Sequence, residues 1–309
     1  MIDVLYIINP ASNSGMGMRA WLEFRTLWHD PIGRKNLAIT ERPGHAREIA
    51  ASGDSASILA VVGGDGTVGE TISGIMERQG SLPKLAIIPG GRGNDIARNI
   101  GIFSVDDGVM ALRSGHHRAF DLIRVDCVID GRKGHCHAFL YGSTGFSSIP
   151  MVKSWMKRVL GPRGAYYLST LKQIIANQSP HMTLQTEEER YSGRYWMVIA
   201  GNAEWAGGGQ MRLSPGALTD DGELNITIVP SQSKFKMITR LLPKVVAGEH
   251  INEPSISYSP GGKIEVQSDP PVDLELDGHL YGTTPATFSI RPRALQIIAP
   301  RLPDKKTDG

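Results

Sequence analysis

Cysteine is nearly absent: the 309-residue chain has only Cys127 and Cys136, at a spacing that fits neither a disulfide framework nor a structural zinc site. Two buried, unpaired thiols in a reducing compartment are expected. Aromatic residues are scarce at 6% and charged residues make up 21%, against 40% hydrophobic, so collagen-like, coiled-coil and disordered chains are excluded in favour of a globular core. No apolar run approaches the roughly 18 residues that cross a bilayer. The first residues, Met1 to Ile8, carry an acid where an export signal needs bases. The expectation is a cytoplasmic protein whose membrane contact, if any, is peripheral. A net charge of +2 is too small to steer a nucleic acid by itself, and none is expected as a partner. The chain also lacks the G-x-x-x-x-G-K-[ST] phosphate loop and the dinucleotide G-x-G-x-x-G fingerprint.

Glycine and proline are plentiful, at 36 and 19, and spread without a fixed period, which points to many tight turns between short elements. Val4–Ile8, Ile58–Val62 and Leu85–Ile88 read as short apolar strands, and Leu37–Thr40 as a short extended piece. They alternate with helical spacing at Met18–Leu27, Ala46–Ala51 and Val68–Arg78, the pattern of a parallel sheet covered on both faces. After Arg118 the period becomes two, at Phe120–Ile129, His135–Tyr141, Met182–Thr186, Tyr195–Gly201, Glu223–Val229, Lys263–Gln267 and Val272–Leu276, followed by Ala286–Ile290 and Leu295–Ala299. Helical interruptions are expected near Met151–Leu160, Ala165–Ala176 and Lys234–Ala247. The fold class is thus an N-terminal α/β nucleotide-binding domain with a parallel sheet, residues 1–118, and a C-terminal antiparallel β-sandwich, residues 119–293. The last strand, 294–300, is a candidate to return to the first domain, 301–309 reads as a disordered tail, and the active site is expected between the domains.

The strongest chemical signal is Gly63-Gly64-Asp65-Gly66-Thr67 at a strand end, leading into a helix. Glycines let main-chain N–H groups approach phosphate oxygens, and a helix N-terminus adds partial positive charge. An acid beside a polyanion calls for a divalent cation between them, so Asp65 predicts a nucleotide with Mg²⁺. One βα unit later, Pro89-Gly90-Gly91-Arg92-Gly93-Asn94-Asp95 repeats the arrangement, and Asn9-Pro10 opens a third polar turn after the first strand. The paired acids Asp106-Asp107 and Glu187-Glu188-Glu189 read as solvated loop charges.

These pieces in this order, with Glu70, Ala97-Arg98, Phe120-Asp121, Gly207-Gly208-Gly209, Ser214-Pro215, Asp220-Asp221-Gly222 and Asp277-Gly278, resemble the diacylglycerol kinase catalytic family, in particular its bacterial soluble lipid kinases. The resemblance runs over nearly the whole chain. It implies an ATP- and Mg²⁺-dependent kinase acting on diacylglycerol or a related lipid alcohol. Asn9, Thr40, Gly63 to Thr67, Glu70 and Gly91 to Asp95 would then face ATP. Asp65, Asp95 and Asp121 would hold catalytic Mg²⁺, partly through water, and Asp221 with the carbonyls of Leu218 and Glu223 a structural Mg²⁺. Asp277 would activate the lipid hydroxyl. Two positions depart from the family pattern: Arg92 stands where threonine is usual, and His279 where glutamate is usual, which leaves His279 open as a proton acceptor. A soluble NAD kinase-like enzyme and a catalytically silent lipid- or nucleotide-binding module are the alternatives.

From Gly131 to Thr186 the chain has no acid, while Arg132, Lys133, Lys153, Lys157, Arg158, Arg163 and Lys172 interleave with Trp155, Tyr166 and Tyr167. A basic patch with aromatics suits an anionic membrane surface. A homodimer is left open.

Overall fold

The structure is a computed structural model that describes residues 3–52, 56–145, 168, 171–172, 174–176 and 178–301. The chain forms two compact units, Met1–Phe120 with Arg293–Gly309, and Asp121–Pro292. The expected helix at Met151–Leu160, most of the one at Ala165–Ala176, the bases from Lys153 to Arg163 and the tail after Arg301 lie outside the described residues.

The first unit holds parallel strands β1 (Val4–Ile8), β2 (Leu37–Ile39), β3 (Ile58–Gly63) and β4 (Lys84–Pro89), in the order β2-β1-β3-β4, with the end of the last strand, β16 (His279–Ile298), beside β4 through Ile297 and Leu85. Every residue of β1 and β3 is buried, as strands covered on both faces must be, and this is why they read as unbroken apolar runs. Five helices, α1 (Met16–Leu27), α2 (His45–Ala51), α3 (Asp65–Met76), α4 (Asp95–Asn99) and α5 (Val105–Ser114), follow or separate the strands. Helix α3 buries Val68, Thr71, Ile72 and Ile75, one stripe at helical spacing. It begins three residues before the expected Val68, so Asp65, Gly66 and Thr67 form its first turn.

Helix α5 corrects the expectation for Asp106-Asp107. Ser104 accepts a hydrogen bond from the Asp107 amide and the Asp107 carboxylate accepts from the Ser104 amide, a complete capping box that turns a supposed loop charge into a helix start.

The second unit is antiparallel, with strands β5 (His117–Ile129), β6 (Arg132–Ala138), β7 (Tyr141–Gly145), β8 (His181–Thr186), β9 (Arg190–Gly201), β12 (Leu224–Pro230), β13 (Ser257–Gly261), β14 (Lys263–Ser268), β15 (Asp273–Leu276) and the first part of β16; the two-residue strands β10 (Trp205–Ala206) and β11 (Met211–Arg212) form a separate ribbon. Its sandwich core includes Ile123, Val125, Met182, Leu184, Val198, Ile226, Leu274 and Phe288. Two strand expectations are corrected. His135–Tyr141 divides into β6 and β7 at Phe139-Leu140, whose amides turn to a side chain as described below. Ala286–Ile290 and Leu295–Ile298 lie in one strand, which runs on through the polar Arg291-Pro292-Arg293 step although Arg293 sits at φ +53°. Cys127 and Cys136 are buried free thiols in this core.

Candidate active site

In the first unit the turns after β1, β2, β3 and β4 emerge at one edge of a parallel sheet, the edge where open α/β sheets bind ligands. A cleft of about 350 Å³ opens there, lined by Asn9, Ala11, Ser12, Thr40, Glu41, Arg42, Pro43, Gly64, Gly66, Thr67 and Glu70. Six of the residues expected at the nucleotide are thus brought together. The first N–H groups of α3 have no acceptor within the helix and carry its positive end.

The cleft is held open by specific hydrogen bonds. Asn9 Nδ2 donates to Thr67 Oγ1 at 2.9 Å, tying the turn after β1 to the first turn of α3, and the Asn9 side-chain oxygen accepts from the Ala11 amide. The Thr40 amide donates to the Ile8 carbonyl at 2.8 Å. Glu70 accepts from the amides of Gly44 and Ala46 and so fixes the start of α2. Its carboxylate is an architectural part of the cleft wall. Arg42 pairs with Glu48 through two bonds at the surface.

The second glycine turn packs directly on the first. A side chain at Gly64 would put its Cβ 3.0 Å from the Cα of Gly91, and one at Gly91 would come within 2.5 Å of the Cα of Gly64. Gly91 therefore needs glycine, and at Gly64 any Cβ would press on the facing turn. Asn94, at φ +53°, closes its turn by accepting from the Gly91 amide and donating to the Gly91 carbonyl, while Arg92 is exposed at the tip beside Gly93. Asp65 Oδ1 accepts from the Ile96 amide at 2.9 Å, joining α3 to the start of α4, and the neighbouring Asp95 is buried.

In the second unit Asp121 is fully buried; its Oδ2 accepts from the Gly222 amide at 2.7 Å, and its own amide donates to the Thr219 carbonyl. Asp121 and the Leu218–Glu223 turn, expected at two separate ions, are thus one locality. Asp221 Oδ1 accepts from the Glu223 amide at 3.0 Å, and Leu218 is exposed.

Asp277 and Gly278 sit at φ +49° and +84°, the two positive angles of a type I′ hairpin between β15 and β16, closed by the Leu276–His279 pair. The Asp277 carboxylate reaches the main chain between β6 and β7. Oδ2 accepts from Phe139 N at 2.8 Å, and Oδ1 from Leu140 N at 2.8 Å and Tyr141 N at 3.0 Å. His279 is exposed and its Nδ1 lies 3.2 Å from the Asp277 carbonyl, a contact to the turn's main chain.

Sequence reasoning missed Glu275. It is buried on β15, and the Tyr141 hydroxyl donates to it at 2.7 Å. Burial pushes its carboxyl above the usual range, while the Tyr141 hydrogen bond and His279 pull the other way. Its position two residues before Asp277, on the strand that leads into that turn, was the available signal.

Among the described residues no three His, Cys, Asp or Glu side chains gather to chelate an ion. The donors on offer are carboxylate and carbonyl oxygens, the chemistry that suits Mg²⁺, an ion commonly bound through one or two carboxylates, water and substrate phosphates. The residues therefore fit Mg²⁺ better than any softer metal.

Residues 3–125 match the diacylglycerol kinase catalytic domain, and residues 144–299 match the YegS C-terminal NAD kinase beta sandwich-like domain. The chain belongs to the diacylglycerol kinase catalytic family, and its α/β and β-sandwich units are the two parts of that family's fold. Proteins of Staphylococcus aureus strains JH9 and MRSA252, each carrying the name "putative lipid kinase", are 27% identical over 249 residues, 78% of this chain and 76% of theirs. A crystal structure titled as a putative diacylglycerol kinase from Bacillus anthracis is 21% identical with a TM-score of 0.75 over 97% of both chains. Yeast NADH kinase shares the fold at a TM-score of 0.52 and 13% identity, over 97% of this chain and 84% of its own. The catalytic-domain match places the chain in a kinase family, which implies a nucleotide substrate, and its curated relatives carry lipid-kinase names.

Proposed function

We propose that the chain is an ATP- and Mg²⁺-dependent kinase that transfers the γ-phosphoryl group of ATP to the hydroxyl of diacylglycerol or a related lipid alcohol, working in the cytoplasm at a membrane surface. The observation that carries this reading is the cleft at the start of α3, where two glycine turns and a helix N-terminus meet in the family's catalytic domain. Phosphates are matched there by main-chain donors. Asp65, Asp95 and Asp121 would hold the catalytic Mg²⁺, which would supply charge neutralisation at the phosphoryl oxygens, and Asp221 with the Leu218 and Glu223 carbonyls would hold a separate structural Mg²⁺.

The chain's own residues do the positioning. Asn9 and Thr67 set the first turn of α3, Glu70 holds the loop after β2 against it, and Gly91, Gly93 and Asn94 let the second turn lie close to the first. Arg92 is free to reach phosphate oxygens from the loop tip. Asp277, its carboxylate aimed by three amides, accepts the hydroxyl proton late in the transfer. Among the described residues no helix is long and apolar enough to cross a membrane.

The test is incubation of the purified protein with γ-labelled ATP, Mg²⁺ and, separately, diacylglycerol, monoacylglycerol, a sphingoid base and NAD(H). Label in a lipid product supports the reading. Label only in NAD(P)(H), or none anywhere with ATP bound, overturns it.

A further inference from the structure

We propose that the helical segment 234–247, led by Phe235, is a docking element that seats this protein on an anionic lipid bilayer. The segment consists of the turn Lys234–Lys236, a π-turn Met237–Leu241 and the helix Leu242–Ala247, which run on without a break. Its inner face is already used: Met237 and Leu241 are buried with Ile174, Trp196, Val229 and Ile256 in a cluster of their own. Ser233 caps its start by accepting from the Lys236 amide, and Trp196 Nε1 donates to the Gln232 carbonyl at 2.9 Å just before it.

On this anchored element Phe235 is 75% exposed, more than any other large apolar side chain among the described residues. Lys234 Nζ donates to the carbonyl of Ile175, which is itself 58% exposed, so the segment is tied to a second exposed apolar residue. An aromatic ring left in water on a rigid support, with lysine on either side, is the arrangement in which the ring enters the acyl boundary and the ammonium groups stay at the headgroups.

Charge identifies the partner. No acid occurs from Ser233 through Gly248, and Lys236, Arg240 and the nearby Lys172 are exposed. Among the described residues the carboxylate bound to the segment is Glu253, buried and shared between Arg240 and Lys244, which leaves an excess of positive charge. Each base close to an anionic leaflet contributes on the order of 1 kcal/mol, about a fivefold gain in partitioning. The inference extends the lipid-kinase reading by naming where the substrate surface is met, yet vesicle binding is measurable without ATP or turnover, so the two readings fail separately.

The experiment is sedimentation of the full chain with vesicles of phosphatidylcholine alone or mixed equally with phosphatidylglycerol. Binding is expected with the mixed vesicles and is lost in high salt. Phe235→Ala should weaken it roughly tenfold, and Lys236→Gln about fivefold. Because both native cysteines are buried, Phe235→Cys can be labelled selectively with a polarity-sensitive dye, whose emission should shift to the blue on mixed vesicles. Unchanged binding by Phe235→Ala, or an unshifted dye on vesicle-bound protein, overturns the proposal. So does a Phe235→Glu variant that changes the oligomeric state in ultracentrifugation and leaves vesicle binding intact, since the face would then belong to a second copy.

Discussion

Replacing Asp277 by asparagine should destabilise the protein by about 3 kcal/mol, whatever it does to turnover. Asn-Gly forms a type I′ turn as readily as Asp-Gly, so the hairpin itself is unaffected. The change falls on the three amides of Phe139, Leu140 and Tyr141, which now face two carboxylate oxygens. Asparagine keeps one oxygen and places an NH₂ group against the remaining donor. With its oxygen toward Leu140 and Tyr141, the Phe139 N–H is left opposite another donor; Phe139 is fully buried, so water has no ready access to it. A buried donor without an acceptor costs about 1–3 kcal/mol, and the two surviving bonds fall from charge-assisted to neutral strength. At the sensitivity typical of domains this size, about 2–4 °C per kcal/mol, the unfolding midpoint of the second unit should drop by roughly 6–12 °C. Differential scanning calorimetry of wild type, Asp277→Asn and Asp277→Ala reads this directly, and turnover is then compared at a temperature where all three are folded. A midpoint within about 1 °C of wild type for Asp277→Asn would refute the argument that the three amides depend on this carboxylate.

Asp65→Asn should abolish phosphoryl transfer while leaving the unfolding midpoint near wild type, because its oxygen can still accept from Ile96; Asp65→Ala should lose both, and a turnover assay beside thermal melts separates them. The pH dependence of stability should show two opposed contributions. His137 is pushed down to about 4, first by burial and then by His135, Arg124 and Arg291. Between about pH 6.5 and 4 the unfolded chain binds its proton and the folded chain does not, so stability is lost on acidification, by on the order of 2–3 kcal/mol, and His137→Gln should flatten that limb in urea unfolding. Glu275 has its folded pKa raised, so its contribution is present at acid pH and lost as pH rises through that value; Glu275→Gln should remove this loss. Asp221→Ala removes the bond from the Glu223 amide in any buffer, but it should also abolish the rise in midpoint that Mg²⁺ gives wild type, as a bound ion stabilises the folded state alone; a variant that keeps the full Mg²⁺-dependent rise would place the ion elsewhere.

What the sequence made legible here are features set by neighbours along the chain. β1 and β3 could be recognised because strands buried on both faces are apolar without alternation, and the glycine turns because Gly63-Gly64 and Gly90-Gly91 each end such a strand. The first turn of α3 was hidden for the same local reason: Gly66 and Thr67 are poor helix formers, and their helical conformation depends on the sheet edge and on Asn9, 58 residues away. The β6–β7 break was hidden too, since Phe139 and Leu140 continue the apolar pattern while their amides leave the ladder for a carboxylate over 130 residues distant.

The acids show why motif and role are different kinds of knowledge. Asp65, Glu70, Asp121 and Asp277 all stand where the family pattern puts chemistry, and all four accept main-chain N–H groups from another part of their own unit. A carboxylate has about four lone-pair positions, so one that braces a turn can still present an oxygen to a substrate, and the two uses compete only when a proton must be taken. That places a stricter demand on Asp277 than on Asp65. Orienting a cation leaves the hydrogen bond that Asp65 accepts from the Ile96 amide intact, whereas protonating Asp277 weakens bonds that hold the β6–β7 turn. If Asp277 is the proton acceptor, the proton must therefore move on quickly. The buried carboxyl of Glu275, shifted toward neutrality, and the exposed imidazole of His279 are the titratable groups on the adjoining strand positions. Combining Asp277→Asn with Glu275→Gln or His279→Ala tests this: if one of them relieves Asp277, its loss slows wild type but adds little once Asp277 is already neutral, and fully additive losses would show that the proton leaves by another route.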